Sequence, residues 1–248
     1  MSTASLTGRR ALVTGGSRGI GAEIVRRLTA DGAAVAFTYS ASGTNAEKLV
    51  AEVSANGATA LAIQADAADP TQTAAAVDQA VAELGGLDIL VNNAAVAHMA
   101  PIGEFPPEQF DHMVAVNIGG MFWTTRSAIE HLSEGARIIN IGSINADRIP
   151  GPGASVYGMT KGAVSSFTRG LARELGPHGI TVNNVQPGPI DTDMNPDEGD
   201  FAESLKQVTS LGRYGHTSEM AALVSFLAGP ESGYITGAHL NVDGGFSV

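Results

Sequence analysis

Short apolar runs alternate along the chain with longer stretches whose apolar residues recur at helical spacing. The runs at residues 10–14, 33–39, 59–64, 87–92, 137–142, 180–186 and about 239–242 are rich in Val, Ile, Leu and Ala. That is the pattern of strands buried on both faces. Residues 20–30, 45–55, 107–132, 154–175 and 218–227 read as helices, with another opened by Pro70, since proline suits a first helical turn. Gly176 and Pro177 stop the helix at 154–175. Strand and helix in strict alternation imply parallel pairing with helices on the crossovers. The expected class is α/β, a single doubly wound parallel sheet with helices on both faces and ligands at the carboxyl ends of its strands. No linker or low-complexity segment interrupts the pattern, so residues 1–248 read as a single domain. The longest irregular stretch, 187–199, precedes a short helix at 200–208. Loops of that length in a compact fold are often functional, and residues 188–210 are the candidate substrate loop.

Composition narrows the class of partner. Of 248 residues, 44% are hydrophobic, enough for a large core. The net charge of -11 disfavours nucleic acid and anionic membrane surfaces, both of which select basic patches. No apolar run approaches the roughly 20 residues of a membrane span. The start of the chain, Met1 to Gly8, is polar and lacks the apolar region of a signal peptide. With no cysteine, the chain has no disulfides and no thiolate metal ligands, which fits a cytoplasmic setting. The six histidines show no metal-ligand spacing, so no metal site is expected.

Two motifs carry chemistry. The first strand runs directly into Thr14-Gly-Gly-Ser-Arg-Gly-Ile-Gly21, and a helix follows at once. Gly15, Gly19 and Gly21 permit a tight turn, and amides at the helix start can face a pyrophosphate. The strand–turn–helix setting makes this the glycine loop of a Rossmann fold. The second motif is Ser-Val-Tyr157-Gly-Met-Thr-Lys161, with Ser143 upstream. On a helix, residues four apart share a face. A lysine ammonium beside a tyrosine hydroxyl lowers its pKa from about 10 and suits it to acid/base work. The same spacing also occurs on solvated helix faces, so the pair gains weight only with the glycine loop and Ser143.

The whole chain resembles the short-chain dehydrogenase/reductase family. The resemblance rests on Thr14 to Gly21, Asn92-Asn93-Ala94, Asn117, Ser143, Tyr157 with Lys161, and Pro187-Gly188. Within the family it looks most like the 3-oxoacyl-carrier-protein reductase branch and its sugar, alcohol and ketone dehydrogenase relatives. The resemblance implies that Ser143 holds a substrate carbonyl and that Tyr157 gives it a proton as hydride arrives from the nicotinamide. It implies that Lys161 lowers the tyrosine pKa and binds the nicotinamide ribose, and that Asn117 holds a water linking Lys161 to solvent. Gly15, Ser17, Arg18, Gly19, Ile20, Tyr39, Ser40, Asp66, Ala67, Asn93, Ala94, Pro187, Gly188, Ile190 and Thr192 are the implied cofactor contacts, with Tyr157 and Lys161. No carboxylate follows the second strand at Tyr39-Ser-Ala-Ser42, and Arg18 supplies a cation. These features favour NADP(H), with NAD(H) the alternative.

Val96, His98, Ser143, Asn145 and Tyr157 are the expected substrate contacts. An acidic carrier protein needs a basic patch. Arg173 matches one basic site of the resembling reductases, but Glu130 stands where they have an arginine, with Glu134 nearby. A free small ketone or secondary alcohol is the favoured substrate, with an acyl-carrier thioester the alternative. A cofactor-binding regulator without catalysis is the reading from another class, although such a protein would be expected to have lost Tyr157 or Lys161. The resemblance also implies a homotetramer.

Overall fold

The computed structural model describes residues 6–248. The polar start of the chain, on which the expectation about a signal peptide rests, falls largely on residues 1–5 and so outside the described residues. Seven parallel strands form one sheet in the order β3-β2-β1-β4-β5-β6-β7. They are β1 (Arg10–Val13), β2 (Ala34–Tyr39), β3 (Ala60–Gln64), β4 (Ile89–Asn92), β5 (Arg137–Ile141), β6 (Thr181–Pro187) and β7 (His239–Val242). The helices between them are α1 (Gly19–Ala30), α2 (Gly43–Ala55), α3 (Pro70–Leu84), α4 (Pro107–Val114), α5 (Met121–Ile129), α6 (Ser155–Leu175), α7 (Asp200–Val208) and α8 (Thr217–Ala228).

Alternation along each strand divides the core into two layers. Ala11, Val13, Val35, Phe37, Ile89 and Val91 pack against α1, α2 and α8. Leu12, Ala36, Leu90, Ile138 and Val182 face α3, α5 and α6. The strands are apolar on both faces because both faces are covered. The chain winds outward from β1 through β2 to β3, then returns to β4 on the other side. The crevice between the exits of β1 and β4 is therefore the switch point where such sheets bind ligands.

The helix expected at 107–132 is interrupted. Residues Ala115–Gly120 form a π segment between α4 and α5, and regular helix ends at Ile129. Gly120 accounts for part of this. A Cβ there would lie 2.6 Å from the carbonyl oxygen of Ala67, so the helix passes against the β3 exit at a point only glycine allows. Among the described residues, no helix is long and apolar enough to cross a membrane.

Candidate active site

Side chains stitch the strand exits together around the glycine loop. The Thr14 hydroxyl accepts from the amides of Asn93 (2.9 Å) and Ala94 (3.0 Å). The Asn93 side chain donates in return to the carbonyls of Thr14 (2.9 Å) and Gly15 (3.0 Å). Thr38, near the end of β2, accepts from Gly15 through its hydroxyl (3.1 Å) and from Gly16 through its carbonyl (2.8 Å). Gly21 keeps the turn closed: a Cβ there would sit 2.3 Å from the Gly15 carbonyl oxygen and 2.5 Å from Asn93 Nδ2. α1 then starts with no side-chain cap at Arg18 and no acid in its first turn. Its first amides have no partner within the helix. At the positive end of the helix dipole they suit a phosphate group.

The loop opens on a cleft of about 480 Å³. The glycine loop contributes Gly15, Ser17, Arg18, Gly19 and Ile20 to its lining. Tyr39, Ser40 and Ser42 come from the β2 exit, Asp66 and Ala67 from β3, and Asn93, Ala94 and Val96 from β4. Tyr157 and Lys161 project from α6, and Pro187 and Thr192 from beyond β6. The fold thus gathers most of the residues singled out in the sequence into one cavity.

Lys161 is 3% exposed and donates to the Ile141 carbonyl (3.1 Å), and no carboxylate pairs with it among the described residues. Burial lowers its pKa to about 8. Its ammonium stands 5.7 Å from the centre of the Tyr157 ring. Burial raises the Tyr157 pKa, and the nearby Ser143 side chain opposes that shift. The lysine head turns toward the Ile141 carbonyl, and desolvation governs the phenol. Ser143, just beyond β5 and 7% exposed, accepts from the Asn145 amide (3.1 Å) through its hydroxyl oxygen. Its own hydrogen stays available to a second oxygen.

Asn117 lies in the π segment, 3% exposed. Its side-chain oxygen accepts from the Val96 amide (2.8 Å), and its nitrogen donates to the Val96 carbonyl (2.9 Å) and to Thr160 Oγ1 (3.1 Å). Thr160 donates to the Tyr157 carbonyl (2.8 Å). Both amide hydrogens of Asn117 are spent on protein. Its side chain ties the β4 exit to the α6 turn that carries the tyrosine.

Ser143 and Asn117 are not among the residues lining the cleft, and four others stand apart from it as well. Gly188 packs against Asp243, where a Cβ would meet the aspartate Cβ at 2.6 Å. Ile190 is 4% exposed and joins the core with Met220 and Val224 of α8. The chain turns after β6 so that Pro187 and Thr192 face the cavity while Ile190 faces the core. His98 packs edge-on against Phe105 with ring centres 5.3 Å apart. Asn145 is half-buried, its amide held by Ser143. Conversely, His112 and Val116 line the cleft without having been singled out, while Asp193 and Met194 bring part of the candidate substrate loop to it. His112 and Val116 are four apart on one helical path, the signal that would have found them.

Beyond β6, Lys206 of α7 bridges Asp197 (2.5 Å) and Glu203 (2.8 Å), and these carboxylates raise its pKa. The Tyr214 hydroxyl donates to Asn195 (3.4 Å). Two of the acidic residues of this segment are thus paired within it, while Asp193 reaches the cleft.

A seven-stranded parallel sheet, a glycine loop at its switch point and a Tyr157–Lys161 pair in the same cleft define a dinucleotide-dependent oxidoreductase architecture. The profile of the family described as enoyl-(acyl carrier protein) reductase matches residues 15–247, and the chain belongs to the short-chain dehydrogenase/reductase family. It is 43% identical over 244 residues to the cyclic-di-GMP-binding biofilm dispersal mediator protein of Escherichia coli (strain K12), covering 98% of this chain and 99% of that protein. A short-chain dehydrogenase/reductase from Serratia marcescens BCRC 10948 superimposes with a TM-score of 0.97 at 54% identity, over 98% of this chain and 100% of that one. A short chain dehydrogenase from Burkholderia cenocepacia J2315, solved in complex with NADP, gives 0.97 at 47% identity, over 98% and 100% of the two chains.

Proposed function

We propose that this protein uses NADP(H) to interconvert a small ketone and a secondary alcohol, with Tyr157 as the acid/base. The observation that carries the reading is that Tyr157 and Lys161 line the cavity opened by the glycine loop. When bound, the nicotinamide supplies or takes up the hydride. The amides of Ser17, Gly19 and Ile20 would hold the pyrophosphate. Arg18, Ser40 and Ser42 would hold the 2′-phosphate, where a carboxylate would repel it. Asp66 and Ala67 would meet the adenine, Ala94 and Lys161 the nicotinamide ribose, and Pro187 and Thr192 the carboxamide. Asn93 would act by holding the loop. The complex of the Burkholderia relative with NADP supports this choice of cofactor.

In reduction, the Tyr157 hydroxyl gives its proton to the substrate oxygen while the Ser143 hydroxyl donates a hydrogen bond to it. The raised tyrosine pKa keeps the phenol protonated, so the site stands ready as an acid. Lys161 stabilises the phenolate as it forms. A relay from Lys161 to solvent past Asn117 would use the main-chain carbonyl or the spare lone pair of Oδ1. Tyr157→Phe should lower kcat by about a thousandfold while leaving NADPH binding nearly unchanged. Retained turnover would sink the reading.

Glu130 and Glu134 follow α5, and with the net charge of -11 they favour a free substrate over an acidic carrier protein. A far higher kcat/KM for acyl-carrier thioesters than for simple ketones would reverse that choice. The E. coli relative carries a ligand-binding name. Catalysis is favoured here because Tyr157, Lys161 and Ser143 stand together. A homotetramer in the cytoplasm completes the proposal. It is supported by exposed apolar residues on α5 (Phe122, 41%), on α8 (Phe226, 42%) and at the chain end (Val248, 98%). Light scattering after size exclusion tests the assembly.

A further inference from the structure

The face of β6 that looks toward α6 changes character along the strand. Val182, Asn184 and Gln186 are all fully buried, yet only the first is apolar. Buried polar groups cost free energy unless they are paired. Asn184 donates to Ser165 of α6 (3.2 Å). Gln186 does something different: its amide nitrogen donates to the main-chain carbonyl of Ser143 (2.9 Å) and to Oδ2 of Asp147 (2.9 Å).

The place of this contact matters. One residue earlier, the Gly142 amide donates to the Val185 carbonyl (2.8 Å). The Gln186 side chain adds a further rung beyond this one, and that rung falls on Ser143. The Ser143 carbonyl also accepts from the Ala146 amide (3.0 Å). Both of its lone pairs are engaged, so the peptide after Ser143 cannot turn without losing two hydrogen bonds.

We propose that Gln186 is a positioning residue, which through the Ser143 peptide fixes the hydroxyl that Ser143 presents to Tyr157 and to the substrate oxygen. The inference rests on the ketone chemistry proposed above. Both partners of Gln186 are acceptors, so the position requires a donor. Its own Oε1 finds no partner among the described residues, which shows that the two donor contacts set its orientation. A carboxylate there would face a carbonyl oxygen and the Asp147 carboxylate together. The other charged or titratable groups around this pair are His239 of β7, which senses Arg169 and Asp147, and Arg148, which bonds the Phe246 carbonyl. Around Tyr157, the cleft presents Lys161, His112, Arg18, Asp66, Asp193 and Tyr39.

The test uses the full-length protein. Gln186→Leu removes both donors at similar volume and should lower kcat on a simple ketone about tenfold, as a misplaced catalytic contact does, with NADPH affinity kept. The limb of the kcat/KM pH profile assigned to Tyr157 should move to higher pH, because the Ser143 hydroxyl that opposes the raised pKa is no longer held in place. In isotope-labelled tyrosine NMR of cofactor-free protein, the Tyr157 resonance, assigned by its loss in Tyr157→Phe, should shift. Gln186→Glu should be impaired near neutral pH and recover partly in acid. Asp147→Ala, at an exposed position, should lower kcat about threefold, and Asp147→Asn, which keeps an oxygen acceptor, should restore it. A folded Gln186→Leu with unchanged kcat, pH profile and Tyr157 resonance overturns the proposal. If that variant fails to fold, an Asp147→Ala protein unchanged in kcat and resonance overturns it instead. A wild-type protein inert toward every ketone defeats the proposed function, whereas the tyrosine resonance still reports on Gln186, so the two failures are separable.

Discussion

Asn117, Ser143, Lys161 and Gln186 are buried, and their side chains bond main-chain groups in and just beyond β4 and β5. The segment after β6 is instead held by the ion pairs of Lys206, whose side chain is 22% exposed and whose partners Asp197 and Glu203 are 36% and 63% exposed. Breaking a buried hydrogen bond leaves a desolvated group unpaired and costs about 1–3 kcal/mol. An exposed ion pair contributes little and weakens with salt. The buried set is therefore held more firmly than the segment after β6.

Substitutions can break or sharpen that contrast. The largest effect is expected at Gly21→Val, where the added side chain meets the Gly15 carbonyl. NADPH affinity, read by fluorescence titration, should fall by about a hundredfold, or ~3 kcal/mol. Next comes Lys161→Met in the cofactor-free protein. Burial sets the lysine pKa at about 8, below its ordinary 10.5. Below pH 8 the folded chain carries the full cost of a buried charge. Between about 8 and 10.5 the unfolded chain binds the extra proton, so the cost is relieved as pH rises. The variant should thus be more stable at neutral pH by on the order of 3 kcal/mol. Thermal melts should show the gap closing across that interval, and a constant gap would contradict the burial argument.

Lys206→Met should act mainly on KM, raising it about threefold with kcat and melting temperature nearly unchanged. An equal loss in kcat would place the segment on the fixed side of the comparison. The smallest effect is expected at Glu219→Gln. Glu219 pairs with Arg213 (2.7 Å) and accepts from the His216 amide (2.8 Å), and its pKa is held at about 2. Its contribution is present above the ordinary carboxylate pKa of 4.5 and fades as pH falls from there toward 2. The pair is largely exposed, so the melting difference at neutral pH should be small and should vanish in acid.

The sheet was legible because burial on both faces leaves unbroken apolar runs, and the glycine loop because Gly21 admits no side chain. Tyr157 and Lys161 were legible because helical spacing puts them on one face and the glycine loop and Ser143 stand in the same sequence. What escaped the sequence depends on contacts between distant elements. The direction of the tyrosine pKa follows from burial, which no local pattern records. The pairing of Asn117 with Val96 and Thr160 joins residues far apart in the chain. Ile190 turns to the core because α8 offers it an apolar bed, so a family position did not translate into a side chain in the cleft.

The π segment at Ala115–Gly120 also sets a limit on how this chain can change length. A π turn amounts to a helix that carries one residue more than the regular winding needs. Each residue added or removed rotates everything on one side of the helix by about 100° against the other. A deletion within residues 115–120 would yield a smoother helix by local rules. It would also swing α4 relative to α5, carrying Asn117 off Val96 or Gly120 off Ala67. The count of residues between those two contacts is itself part of the site, and insertions or deletions that neighbouring loops absorb should be refused there.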